Sequence, residues 1–337
     1  MFARRLLLSA VCLAVLGLAS CNKSPSGPTP TLARGERAKI AVVSNNAADF
    51  WTICEAGAKK GAEEFNVELI FRKPAQGTAD EQREIIDTLL SQKVNGLAIS
   101  VNDPKNQINL LNKIAGQMPL VTQDNDAPDS KRVCYIGTNN YQAGLAAGKL
   151  VKEAMPDGGT IAIFVGKPDP INAKERRQGV LDELSGEKNA KGPKLGKYTL
   201  FDTFYDDVQQ DVAKEKVSTA LVQLQKEPNV CFVGLWAYNP PAILSGIKDA
   251  NKLGKVKIVG FDEMPETLQG VKDGHVQGTI VQQPYQFGYQ SVKLLSELAH
   301  GDKANVPTSG IMDVPFLVIK KDNVEKFQAD LNKMLGK

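Results

Sequence analysis

The residues whose types could do chemistry first meet in the stretch IAVVSNNAADFW, from Ile40 to Trp51. Ser44, Asn45 and Asn46 each donate and accept hydrogen bonds. Phe50 and Trp51 follow and offer flat apolar faces. Amides beside aromatic planes suit a ring that is polar at its rim and apolar on its faces, as a sugar is. Either aromatic alone reads as core of the helix that begins there. Both, side by side after the polar triplet, read as a stacking platform for a sugar. The positioning is legible too. Residues 40–43 form a short apolar run typical of a strand buried on both faces. The polar triplet breaks that run, and an amphipathic helical pattern continues through Cys54, Ala58 and Ala62. The group therefore sits at the carboxyl end of a first strand, where open parallel sheets hold their ligands.

Strand-like and helix-like segments alternate from residue 39 onward. Strands are predicted over 67–71, 96–101, 119–122 and 133–136, with helices over 80–92, 106–116 and 141–155. A second group follows. Its strands fall at 160–165, 198–204, 230–235, 257–261 and 276–282, its helices at 172–184, 208–226, 240–253 and 265–272. This alternation predicts an α/β chain of two doubly wound parallel-sheet lobes. The last part breaks the rhythm with a helix over 285–300, a strand over 312–319 and a helix over 323–335. These pieces must return to the first lobe and cross back. The expected first lobe is 39–138 plus 283–311, and the second 139–282 plus 312–337. Several crossover segments, near 138–139, 283–284 and 309–311, would form a hinge that bends without letting the lobes tumble.

With 337 residues the chain is long enough for two domains. A net charge of +3, with acids and bases interspersed, argues against a nucleic-acid footprint. Residues 1–20 read as a targeting segment: Arg4 and Arg5, then an apolar stretch over 6–18. Leu18-Ala19-Ser20-Cys21 resembles a bacterial lipobox, which would make Cys21 the lipidated first residue of the mature chain. A plain secretory signal with an incidental Cys21 is the alternative. Residues 21–38, rich in Pro, Ser, Thr and Gly, read as a tether unable to bury a core. Nothing after residue 20 has the apolar length of a membrane span. Cys54, Cys134 and Cys231 lie in apolar surroundings and read as buried thiols.

From Ile40 to about Lys320 the chain resembles the periplasmic sugar-binding proteins of the ribose-binding type, which feed ABC transporters. The matching motifs are IAVVSNNAADFW, VTQDNDAP, YIGTNNYQAG, INAKERRQGV, VGFDEMPETLQGVKDG and GTIVQQPYQFG, in that order. The resemblance implies two lobes with a monosaccharide between them, no cofactor and no metal. It implies that Ser44, Asn45 and Asn46 bond sugar hydroxyls and that Phe50 and Trp51 stack on the ring. Asp124 and its neighbour Asn125, Asn172 and Arg176, Asp262 and Gln282 would complete a polar ring. Asn125 stands where the family usually has an arginine, which weakens any claim for ribose. GLWAYNPPA replaces the usual asparagine–acidic pattern, so Trp236, Tyr238 or Asn239 supplies the second-lobe contact. Trp236, beyond a strand's carboxyl end, suits a second stacking wall. Asn239, before two prolines, also reads as a helix cap, as does Asp262 before its own helix.

The implied function is a lipid-anchored, monomeric receptor at the cell envelope that closes on a sugar and presents the closed form to a permease. A sensor presenting it to a histidine kinase or chemoreceptor is the alternative. Enzyme chemistry has little support. His275 and His300 stand far from any nucleophile or metal cluster in the sequence, and no GxSxG, HExxH or phosphate-loop signature is present. Asp124 and Asp262 as a glycosidase pair is the remote alternative. A two-lobe transcriptional repressor would need a helix-turn-helix where the signal and tether stand.

Overall fold

Parallel pairing of short apolar runs organises the chain into two sheets. The computed structural model describes residues 31–336. The chain opens with β1 (Lys39–Val43), α1 (Asp49–Glu64), β2 (Glu68–Arg72), α2 (Ala79–Ser91), β3 (Gly96–Ile99), α3 (Ile108–Ala115), β4 (Leu120–Gln123) and β5 (Cys134–Gly137). It continues with α4 (Asn140–Ala154), β6 (Gly159–Val165), α5 (Ile171–Ser185), β7 (Lys194–Leu195), β8 (Tyr198–Tyr205), α6 (Gln210–Gln223), β9 (Val230–Gly234) and α7 (Asn239–Asp249). Then come β10 (Val256–Phe261), α8 (Pro265–Lys272), β11 (Gly278–Val281), α9 (Pro284–Ala299), β12 (Ile311–Asp313), β13 (Leu317–Ile319) and α10 (Val324–Met334).

The first sheet runs β12-β5-β4-β3-β1-β2, the second β13-β11-β10-β9-β6-β8-β7. Within the first, every pair is parallel. In the second, only the edge strands β13 and β7 run antiparallel. Each lobe thus has a switch point beside its central strand, between β1 and β3 and between β6 and β9. Chain direction across the sheet reverses there and a crevice opens at the carboxyl ends. Both faces of each sheet are covered. Trp51, Cys54, Phe287 and Leu295 pack on one face of the first, Ile86, Leu89, Leu111 and Ile114 on the other. Leu150, Val180 and Leu181 cover one face of the second, Val217, Ile243 and Leu268 the other. The buried Cys54, Cys134 and Cys231 are free thiols.

Three expectations change. The single strand expected over 312–319 is two strands in two sheets. β12 pairs with β5, the Val314 amide still bonds the Gly137 carbonyl (2.8 Å), and the chain then leaves for β13 on β11. Pro315 has no amide to continue a ladder, so the crossing falls at 314–316 rather than 309–311. The lobe boundary therefore lies after β12, not before residue 312. β7 was not expected at all.

The last change concerns the tether. Residues 1–20, Cys21 and most of 21–38, read as signal, lipidation site and tether, lie outside the described residues, but 31–38 are docked on the first lobe. The Leu32 amide bonds the Ala299 carbonyl (2.9 Å), Ala38 is buried, and the Arg37 guanidinium bonds the Val67 carbonyl (3.2 Å). Leu32 packs against the first-lobe core. The polar composition of 21–38 hid this one apolar anchor.

Candidate functional site

Each lobe repeats one device at its strand ends. Asp124 comes directly after β4 with φ 59°, Asp262 directly after β10 with φ 63°. Aspartate tolerates this left-handed geometry better than most residues. The Asp124 amide bonds the Ile136 carbonyl on β5 (3.1 Å), and the Asp262 amide bonds the Ile280 carbonyl on β11 (2.8 Å). A hydroxyl from the neighbouring strand then donates to each aspartate's carbonyl: Tyr135 to Asp124 (2.9 Å) and Thr279 to Asp262 (2.8 Å). The turn forces each carboxylate off the strand end in a fixed direction. Both are almost wholly buried.

Arg176, on the second turn of α5, acts on both through its charge. Its Nε donates to Asn140 Oδ1 (2.9 Å) and its Nη1 to the Leu235 carbonyl (2.8 Å). The guanidinium carbon lies 4.7 Å from the centre of the Phe261 ring. At 1% exposure Arg176 is no surface residue, unlike Lys174 beside it. Its charge acts on Asp124 of the first lobe and on Asp262 of the second. Burial nevertheless raises the Asp124 carboxyl to about 6, against Arg176 and the Ser100 hydroxyl that donates to it (3.0 Å). Burial raises Asp262 too, against Arg176 and Gln282. Gln282 donates to Asp262 Oδ1 through its side chain (3.1 Å). Glu263, buried beside them, rises well above the usual range through burial and the Asp262 charge.

A stability prediction follows. The folded chain keeps the Asp124 proton in a pH window where the unfolded chain has released it. This residue therefore costs stability as pH rises from about 4 to about 6, by on the order of 3 kcal/mol. Asp124→Asn removes that cost. Urea midpoints of the wild type are expected to fall relative to the variant across this window, and parallel curves would contradict it.

The other expected residues divide. The Ser44 hydroxyl is buried and donates to the Asn46 carbonyl (2.6 Å), so it shapes the loop. Asn45 Oδ1 accepts from Asn46 (2.8 Å) and from the Trp51 indole (2.9 Å), and Asn46 Oδ1 accepts the Ala48 amide (2.8 Å). Trp51 takes the core alternative: it is 2% exposed and packs in the first-lobe core. Phe50 stays half-buried, edge-on to Trp51 at 5.1 Å. Tyr238 and Asn239 both donate to Asp206, and Asn239 Oδ1 accepts the Trp236 amide (2.9 Å). Asn239 is inside α7 rather than its cap, and Asp262 does not cap α8, whose capping position is Met264.

What remains is a set of buried polar atoms with no hydrogen-bond partner in the protein. On the first lobe these include Asn102 Nδ2 and Asn125 Oδ1, on the second Asn172 Oδ1, Arg176 Nη2, Trp236 Nε1 and Glu263 Oε2, with Thr138 Oγ1 at the crossing between them. Asn125 holds its place by donating to the Val101 carbonyl. Asn102, Asn125, Thr138, Trp236 and Glu263 follow the carboxyl end of a strand and Asn172 and Arg176 open α5 after β6, whereas the other unpartnered atoms, Gln123 Nε2, Thr267 Oγ1 and Glu297 Oε2, lie within β4, α8 and α9. Donors and acceptors are mixed, so one small ligand with hydroxyls and ring oxygen could satisfy both kinds.

Gln82 was missed and matters. It is fully buried, and its Nε2 donates to the carbonyls of Ser44 (2.9 Å) and Ser100 (2.6 Å), tying the two loops of the first switch point together. The signal was present, since Gln82 falls on the apolar face of α2 with Ile86 and Leu89. Ser100, Asn140, Asp206 and Glu263 were also missed.

A sequence profile for the periplasmic binding protein domain matches residues 40–303. The chain belongs to this family. Its two sheets of mostly parallel strands are the type I periplasmic binding fold. Members of the family are substrate-binding proteins rather than enzymes, which sets aside the glycosidase alternative. The chain is similar to the D-galactose/methyl-galactoside binding periplasmic protein MglB of Haemophilus influenzae, 26% identical over 75% of this chain and 80% of that one. It is similar to a Burkholderia graminis ABC transporter solute binding protein solved with D-arabinose (29% identity, TM-score 0.78, 87% of this chain and 98% of that). It is also similar to GanP, a glucose-galactose binding protein from Geobacillus stearothermophilus (27%, TM-score 0.76, 86% and 99%).

Proposed function

We propose that the protein binds a monosaccharide between its lobes and delivers it to an ABC transporter permease, held at the cell envelope by a lipid on Cys21. The observation that carries the sugar reading is the mix of buried, unpartnered donors and acceptors at the strand ends of both lobes, with Arg176 Nη2 among them. A pyranose or furanose presents hydroxyls that both donate and accept, plus one acceptor-only ring oxygen. Asp124 and Asp262 accept from hydroxyls, while Arg176 Nη2 and the Trp236 indole donate. Leaving any of them unmatched costs free energy, so the set selects as well as binds. Phe50 and Trp236 offer apolar planes for the ring faces. The sugars named for the relatives support the class.

Contacts from both lobes make the bound state the closed state, which a permease could read. D-galactose, D-ribose, D-allose and D-arabinose should be screened by thermal shift and by tryptophan fluorescence. At least one is expected to raise the melting temperature and change the emission. A flat response to all four, and to the remaining common pentoses and hexoses, would contradict the sugar reading. Mass spectrometry of the exported protein tests the anchor, with a diacylated amino-terminal Cys21 expected and an unmodified one contradicting it.

A further inference from the structure

We propose that Asp206 is a positioning residue for the ligand: it fixes which end of the Asn239 amide faces Trp236, and so seats the indole that walls the second lobe's side of the cleft. The inference rests on the sugar-binding reading above.

Asp206 directly follows β8 and is 2% exposed. Its Oδ1 accepts from the Val208 amide (2.9 Å) and the Tyr238 hydroxyl, its Oδ2 from Asn239 Nδ2 (3.0 Å). An ionised carboxylate only accepts. Asn239, 1% exposed, must therefore turn its NH2 toward Asp206. That leaves Asn239 Oδ1 for the Trp236 amide, which it meets at 2.9 Å. The chain of bonds has a direction, and Asp206 sets it.

The seat is narrow. A Cβ on Gly166, just past β6, would lie 2.1 Å from Trp236 Cζ3 and 2.8 Å from the Tyr238 hydroxyl. The indole thus lies close against the main chain after β6, while its own N–H has no partner in the protein. Small rotations of residues 236–239 would carry that donor away from any ligand held by Arg176, whose Nη1 bonds the neighbouring Leu235 carbonyl.

Asp206→Asn breaks the direction. The new amide keeps one acceptor for Tyr238 and Val208, but turns a donor toward Asn239 Nδ2. If Asn239 flips to accept, its NH2 then faces the Trp236 amide. The exchange Asp206→Asn/Asn239→Asp restores a consistent chain, because the new amide donates to the new carboxylate, which accepts from Trp236.

The full chain labelled with 5-fluorotryptophan gives two signals, assigned with Trp51→Phe and Trp236→Phe. In ligand-free protein, Asp206→Asn is expected to move or split the Trp236 signal and leave the Trp51 signal in place, and the exchange to return it. Calorimetry with the tightest-binding of D-galactose, D-ribose, D-allose and D-arabinose is expected to show a loss of about tenfold or more for Asp206→Asn, recovered in the exchange. An unmoved Trp236 signal with unchanged affinity would overturn the proposal. So would a folded exchange variant whose Trp236 signal stays displaced, and that comparison decides the matter if the single variant does not fold. If the wild type binds none of the sugars, the functional reading fails, while the fluorine signals still decide whether Asp206 seats Trp236.

Discussion

Arg176→Ala is expected to remove sugar binding, with a loss of affinity of about a hundredfold or more. The guanidinium's charge reaches an aspartate in each lobe. Two of its nitrogens are held by Asn140 and Leu235, which aims the third, Nη2, away from the protein's own acceptors. Its removal leaves a ligand hydroxyl without a donor and two buried carboxylates without a counter-charge. Arg176→Lys should not rescue, because one ammonium cannot hold Asn140, Leu235 and a ligand in the same plane. Calorimetry checks both variants. Wild-type affinity in Arg176→Ala would take Arg176 out of the site.

Gly57→Val is expected to lower stability by about 3 kcal/mol, at the upper end of what overpacking costs. A Cβ at Gly57 would stand 1.9 Å from the Tyr285 carbonyl oxygen, and one at Gly288 would stand 2.0 Å from that of Cys54. These are main-chain atoms of α1 and α9, so neither can swing aside. The contact fastens the returning helix α9 to the first lobe, more than two hundred residues after α1 begins. Gly116→Ala, where the nearest foreign atom lies at 3.5 Å, is the control and should leave the urea midpoint in place. Equal midpoints for the two variants would contradict the close packing of α1 on α9.

Much of this was legible in the sequence because parallel strands buried on both faces are short apolar runs. The alternation of those runs with helical patterns gives two doubly wound lobes, while Asp124 and Asp262 came from the family resemblance of QDND and GFD. Side-chain assignments inside loops were less legible. Asn45 and Asn46 of SNN also hold their own loop, through the Trp51 indole and the Ala48 amide, local bonds that composition does not reveal. Trp51 and Phe50 are adjacent, but a helix turns successive residues by about a hundred degrees, so Trp51 is buried in the core while Phe50 packs at its edge and stays half-buried. Asn239 looked like a cap because prolines follow it, and only the fold brings Asp206 to it from 33 positions away. Gln82 was readable in principle, as a polar residue on an otherwise apolar helical face.

The central claim is most directly tested by a crystal structure of the protein with the sugar that stabilises it most. The account predicts a single ring between the lobes, within hydrogen-bonding distance of Arg176 Nη2 and of the Asp124 and Asp262 carboxylates, with Trp236 against one face. A sugar bound elsewhere, or one between the lobes that touches neither Arg176 nor either aspartate, would contradict it.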